Sequence, residues 1–120
     1  MENDKLFHDW AVSYLKQKLS RSYTDVKINL EGGDRNEFKG IYPDLILGNH
    51  GMVLAIMQVE TEKTVTPEKA EEWKKLSGLG AKLIVMVPKA SKAKVIELLW
   101  KAGIADKAAV GSYEFNVSMP

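Results

Sequence analysis

The chain has 120 residues, the size of one ordinary domain, and its formal net charge of +1 offers no global attraction to nucleic acid or to an anionic membrane. The absence of cysteine removes disulfides, thiolate zinc sites and cysteine nucleophiles together, and suits a reducing, cytoplasmic setting. Met1-Glu2-Asn3-Asp4 opens without a basic stretch leading into an apolar one, and no run nears the roughly 18 apolar residues of a membrane span. Neither a signal peptide nor a membrane anchor is expected.

Leu6, Phe7, Trp10, Ala11, Tyr14 and Leu15 recur at helical spacing, with Asp4, Asp9, Lys16 and Lys18 off the stripe, which predicts an amphipathic opening helix ending near Ser20 to Thr24. Val26, Ile28 and Leu30 alternate with Lys27 and Asn29, the period of a half-buried strand, and Gly32-Gly33-Asp34 breaks it. Ile41 to Leu47 and Met52 to Thr61 read as two antiparallel strands joined through Gly48-Asn49-His50-Gly51. Thr66, Pro67 and Glu68 form an N-cap, a first-turn proline and a first-turn acid, so a helix runs to about Leu76 before Ser77-Gly78 and Gly80 end it.

Leu83 to Val87 is an unbroken apolar run, the signature of a central strand buried on both faces with helices for neighbours. Val95, Ile96, Leu99 and Trp100 form the apolar face of a further helix ended by Gly103, and Ala108 to Val117 offers a last strand. The expected order is α-β-β-β-α-β-α-β in one domain over residues 1–120: a mixed sheet with helices on its faces.

Alternation along a strand places Tyr42, Asp44 and Ile46 on one face of the second strand, and Gln58, Glu60 and Glu62 on one face of the third. Hairpin pairing then sets Asp44 beside Gln58 and Glu60. Two carboxylates and an amide oxygen are hard ligands of the kind that hold Mg²⁺ or Mn²⁺, and such an ion activates water against a phosphodiester. The bland alternatives are that Asp44 caps a strand and that Gln58 satisfies a neighbouring backbone group.

Tyr42-Pro43-Asp44-Leu45-Ile46-Leu47, followed at hairpin distance by Leu54-Ala55-Ile56-Met57-Gln58-Val59-Glu60-Thr61, with a helix before and a helix and an apolar strand after, resembles the core of the PD-(D/E)XK nuclease superfamily. The likeness covers about Leu6 to Val87 and implies a three-layer restriction-endonuclease-like fold. It also implies a metal-dependent endo- or exonuclease acting on nucleic acid. By that resemblance Asp44 matches the first metal acid, Gln58 occupies the second acidic position and Glu60 stands where a lysine is expected. Glu60 then serves as the second metal acid, with the Val59 carbonyl as a third ligand. The lysine's function passes to Lys63, Lys74 or Lys75.

From the first helix, Glu2, His8 and Asp9 are the candidates to approach the metal. His50, in the hairpin loop, reads as solvated. Lys89, Lys92, Lys94 and Lys101 read either as phosphate contacts or as a solvated face, and Trp73 and Trp100 as core or interface anchors. Three functions remain open at this point: a metal-dependent nuclease, a catalytically inactive relative of the same fold that binds a partner or forms a homodimer, and, less favoured because no glycine-rich phosphate loop follows any strand, a small α/β ligand-binding or regulatory domain.

Overall fold

The computed structural model describes residues 2–30, 33 and 35–114. Its elements run α1 (Glu2–Leu19), β1 (Asp25–Ile28), β2 (Leu45–Asn49), β3 (Met52–Val59), α2 (Pro67–Ser77), β4 (Lys82–Pro88), α3 (Lys92–Lys101) and β5 (Ala108–Tyr113). The five strands form one mixed sheet in the order β1-β2-β3-β4-β5, so the α/β class with a mixed sheet is as expected. β1, β2 and β3 are antiparallel neighbours, and β3, β4 and β5 run parallel. No helix among the described residues is long and apolar enough to cross a membrane.

The β2–β3 hairpin closes on His50 and Gly51, with φ of 53° and 81°, the paired left-handed geometry that matches the twist of a two-residue hairpin. Strand β2 is shorter at its start than Ile41 predicted. Ile41 instead bridges back to Phe38 across Lys39-Gly40, a second tight turn with both φ values positive. β3 stops at Val59 rather than Thr61, because Glu62–Thr64 winds into one turn of 3-10 helix. β5 ends at Tyr113; the predicted continuation through Val117, like Gly32 and Asp34, lies outside the described residues.

Two apolar clusters lie on opposite faces of the sheet. Ile56, Leu83, Val85 and Val87 pack under Trp73 and Leu76 of α2 and Val95, Leu98 and Leu99 of α3. Leu45, Leu47, Ala55, Met57 and Val59 pack under Ala11, Val12 and Leu15 of α1. Three predictions of burial are corrected here. Val85 is fully buried, but its neighbours Ile84 and Met86, on the α1 face, are only half-buried, because α1 packs chiefly over β1 to β3 and Ile84 and Met86 lie at the edge of that cluster. On α1, Leu6, Phe7, Trp10 and Tyr14 are exposed, since the buried stripe is rotated onto Ala11, Val12 and Leu15. On α3, Leu98 takes the core position, leaving Ile96 exposed and Trp100 at 71% exposure.

Candidate functional site

The carboxyl ends of β3, β4 and β5 and the start of β2 meet at one end of the sheet, the place where open α/β sheets bind ligands. An open groove of ≈ 770 Å³ lies there, with Thr61, Lys63, Pro88, Lys89 and Tyr113 in its walls and Phe7 of α1 on one side.

Asp44 sits one residue before β2, at the position that the β2–β3 register sets against Gln58. The ladder passes there from main chain to side chains. The Asp44 N–H donates to Gln58 Oε1 at 2.9 Å, and the Val59 N–H donates to Asp44 Oδ2 at 2.7 Å. The same Oδ2 meets His8 Nε2 at 3.1 Å, while His8 Nδ1 lies 3.3 Å from Asp9 Oδ1. The hydrogen bond to Asp44 lifts His8 from 6.5 to about 9, against the opposing effect of burial, so the ring is an imidazolium at neutral pH. Of the candidates on α1, His8 is therefore the one that reaches Asp44; the side chain of Glu2 lies outside the described residues.

Glu60 is buried, with 2% of its surface exposed. Its Oε2 accepts from the indole N–H of Trp73 at 2.8 Å and its Oε1 from the Thr64 hydroxyl at 2.8 Å. The Lys69 ammonium stands 3.9 Å from Oε1 and 3.3 Å from Glu72. Burial, with a smaller push from Asp44, holds Glu60 above its ordinary carboxylate value even though Trp73, Lys69 and Thr64 oppose the rise. Burial lowers Lys69, yet the charges of Glu60 and Glu72 outweigh it and hold the ammonium above its ordinary value.

The Glu60 main chain is fixed as firmly. Its N–H donates to the Met86 carbonyl at 2.8 Å, and the parallel ladder would next bring the N–H of residue 88 to the Glu60 carbonyl. Pro88 has no N–H, and the Tyr113 hydroxyl donates there instead at 2.6 Å. Burial, with the nearby Glu60 charge, raises that phenol to about 12, which keeps it a donor.

The sequence reading is thus sharpened and corrected residue by residue. Asp44, Gln58 and Glu60 do gather on one side of the hairpin. The cation beside Glu60 is Lys69, in the first turn of α2, rather than Lys74 or Lys75, which are exposed in its last turn. Thr66 caps that helix through its hydroxyl, which accepts the Lys69 N–H at 3.2 Å and so fixes where Lys69 emerges. Lys63 follows on the 3-10 turn and lines the groove.

Asn29, assigned to a solvent-facing position by alternation, is buried and organises the approach to Asp44. Its amide donates to the carbonyls of Pro43 at 2.6 Å and Asn36 at 2.8 Å, while its own N–H donates to the Asp44 carbonyl at 3.0 Å. Trp73 was legible as a core anchor but not as a partner of Glu60. Lys89 and Lys101 are exposed and paired with Glu114 and Glu97, so they behave as a solvated face.

A hard divalent cation needs several oxygens turned toward one point. Gln58 Oε1 is aimed at a backbone N–H, both Glu60 oxygens accept from side chains inside the protein, and Asp44 and Glu60 face the cations His8 and Lys69. Among the described residues, no group of three or more His, Asp or Glu side chains converges as a metal site would. The donor set in this arrangement does not fit Mg²⁺ or Mn²⁺ held by Asp44, Glu60 and Val59.

No family model and no curated protein matches the chain.

Proposed function

We propose that this chain is a restriction-endonuclease-like domain that works by binding, without metal-dependent cleavage. One observation carries the reading. The polar groups at the carboxyl end of the sheet are engaged with one another: His8 faces Asp44, Lys69 faces Glu60, and the Gln58 and Glu60 oxygens accept from protein donors. Such a cluster fixes α1 and α2 to the strand ends. It does so with the Gln58 oxygen and both Glu60 oxygens turned toward protein donors instead of toward one shared point, as a dication requires.

Hydrolysis of nucleic-acid phosphodiester bonds is the competing reading. In its favour, Asp44 keeps 18% of its side chain exposed and stands with Gln58, Glu60 and Lys69 at the sheet end where the groove opens. Calorimetric titration with Mn²⁺, followed by incubation with supercoiled, linear and single-stranded DNA and with RNA, decides between them. The expected result is no saturable heat and no cleavage. Mn²⁺-dependent cleavage by the wild type that disappears in Asp44→Asn overturns the binding reading and establishes the hydrolytic one.

A further inference from the structure

Away from the polar cluster, α3 turns an apolar ridge outward. Ile96 and Trp100 lie one turn apart on it, at 39% and 71% exposure, with Lys92 one turn before them. Beside the Trp100 ring is a hollow of ≈ 400 Å³, lined also by Gly103, Ala105 and Asp106. An indole this exposed contributes little to folding, and its place on an apolar ridge beside a hollow marks an interaction surface. Gly103 to Asp106 precede β5 at its amino end, whereas Glu114 follows at the other, roughly 20 Å away along the strand. The face is therefore built by described residues alone.

The charge around this ridge selects the occupant. Residues 89–107 carry Lys89, Lys92, Lys94, Lys101 and Lys107 against only Glu97 and Asp106, all of them exposed, in a chain whose net charge is +1. Lys89 and Lys101 pair with Glu114 and Glu97. Lys92, on the ridge itself, has no ion pair among the described residues. This local positive excess is complementary to an acidic partner. A phosphate surface, whether lipid or nucleic acid, fits less well, because Ile96 and the indole offer it no charge and Asp106 in the wall of the hollow repels it. A hollow beside an aromatic ring suits one apolar side chain inserted from a peptide.

From this we infer that the outer face of α3 docks an acidic peptide segment of another protein, which inserts a bulky apolar side chain beside Trp100 and sets its carboxylates against Lys92. Lys92 and Trp100 are a little over two turns apart, about 12 Å along the helix axis. In the partner, the acids and the apolar anchor therefore stand about four extended residues apart. The inference rests on the binding reading above and gives it a partner class. The two fail separately, because Ile96 and Trp100 lie on α3 and not among Asp44, Gln58 and Glu60, where the metal titration reports.

Selection of a random peptide library displayed on phage against the full chain, followed by fluorescence anisotropy on the enriched peptides, tests it. Enriched peptides are expected to be acidic with a bulky apolar residue, and to bind less tightly as salt rises. Trp100→Ser is expected to weaken them by at least about thirtyfold, as loss of an aromatic anchor does. Lys92→Glu weakens them several-fold and Lys92→Arg keeps the affinity. Thermal midpoints stay unchanged in all three variants, since both side chains are exposed, so a folding defect does not account for the loss. The proposal is overturned if no peptide is enriched, if those enriched are neutral or basic, or if Trp100→Ser and Lys92→Glu bind them as wild type does. Binding to phosphatidylserine vesicles or to DNA that Trp100→Ser abolishes, with no acidic peptide bound, overturns it in favour of a phosphate surface.

Discussion

The two faces of the sheet are built from the same strands and differ in how completely they are covered. Under α2 and α3, Leu83, Val85 and Val87 of β4 are fully buried, and Trp73 closes the layer while its indole N–H holds Glu60. Under α1, Leu45, Leu47, Ala55, Met57 and Val59 are buried, while Ile84 and Met86 of β4 pack at the edge of that cluster and stay half-buried. Two helices, α2 and α3, share β3 to β5 on one face, whereas α1 alone packs chiefly on β1 to β3 on the other, since a helix with its side chains is only about 10–12 Å across and strands lie about 4.8 Å apart. The more complete face stabilises the fold and anchors the polar cluster.

Breaking the complete face should have the largest effects. Trp73→Ala opens a cavity in the core and leaves the buried Glu60 carboxylate without its indole donor, and a loss of about 4 kcal/mol is expected by urea denaturation. Trp73→Phe keeps most of the volume and isolates the hydrogen bond to a buried charge, at about 2 kcal/mol. If the two variants lose the same amount, packing by Trp73 contributes little and the account of that face is wrong.

The next pair of variants sets one face directly against the other. Leu83→Ala, on the face under α2 and α3, should cost about 3 kcal/mol, whereas Met86→Ala, on the α1 face, should cost about 1 kcal/mol. Equal losses would show the two faces to be equally packed in solution.

The α1 face is also tied to the sheet end by a titratable link. His8 is raised in the folded state to about 9, so its contribution is complete below its unfolded value near 6.5 and is lost as pH rises through about 9. The pair is partly exposed, and solvent screening reduces the expected loss to about 1 kcal/mol across that window. Denaturation midpoints should fall over that range in wild type and stay level in His8→Ala. A slope that survives in His8→Ala would assign the titration to another group. Smallest of all, Trp100→Ser on the outer surface of α3 should change stability by less than about 0.5 kcal/mol, since the ring is largely in solvent.

Legibility of the site followed the range of the interactions that build it. Asp44, Gln58 and Glu60 were brought together by strand alternation and one hairpin, both local rules, and the structure gathers those three. Lys69 and Trp73 reach Glu60 only because the 3-10 turn Glu62–Thr64 and the Thr66 cap set the angle at which α2 leaves the strand. Nothing in residue spacing reports that angle. Asn29 escaped for a related reason: alternation assigns a side, but β1 ends at Ile28, and beyond it the chain folds over to bury the amide against Pro43 and Asn36.

By itself the sequence determined the class of elements, the hairpin and the three polar residues at its open end, because periodicity, turn chemistry and capping act within a few residues. Only the tertiary structure decided which partners those polar groups have, and which apolar residues are covered. Both depend on where separate helices land on a shared sheet, and α1, packed chiefly over β1 to β3, leaves Ile84 and Met86 half-buried at the edge of its cluster.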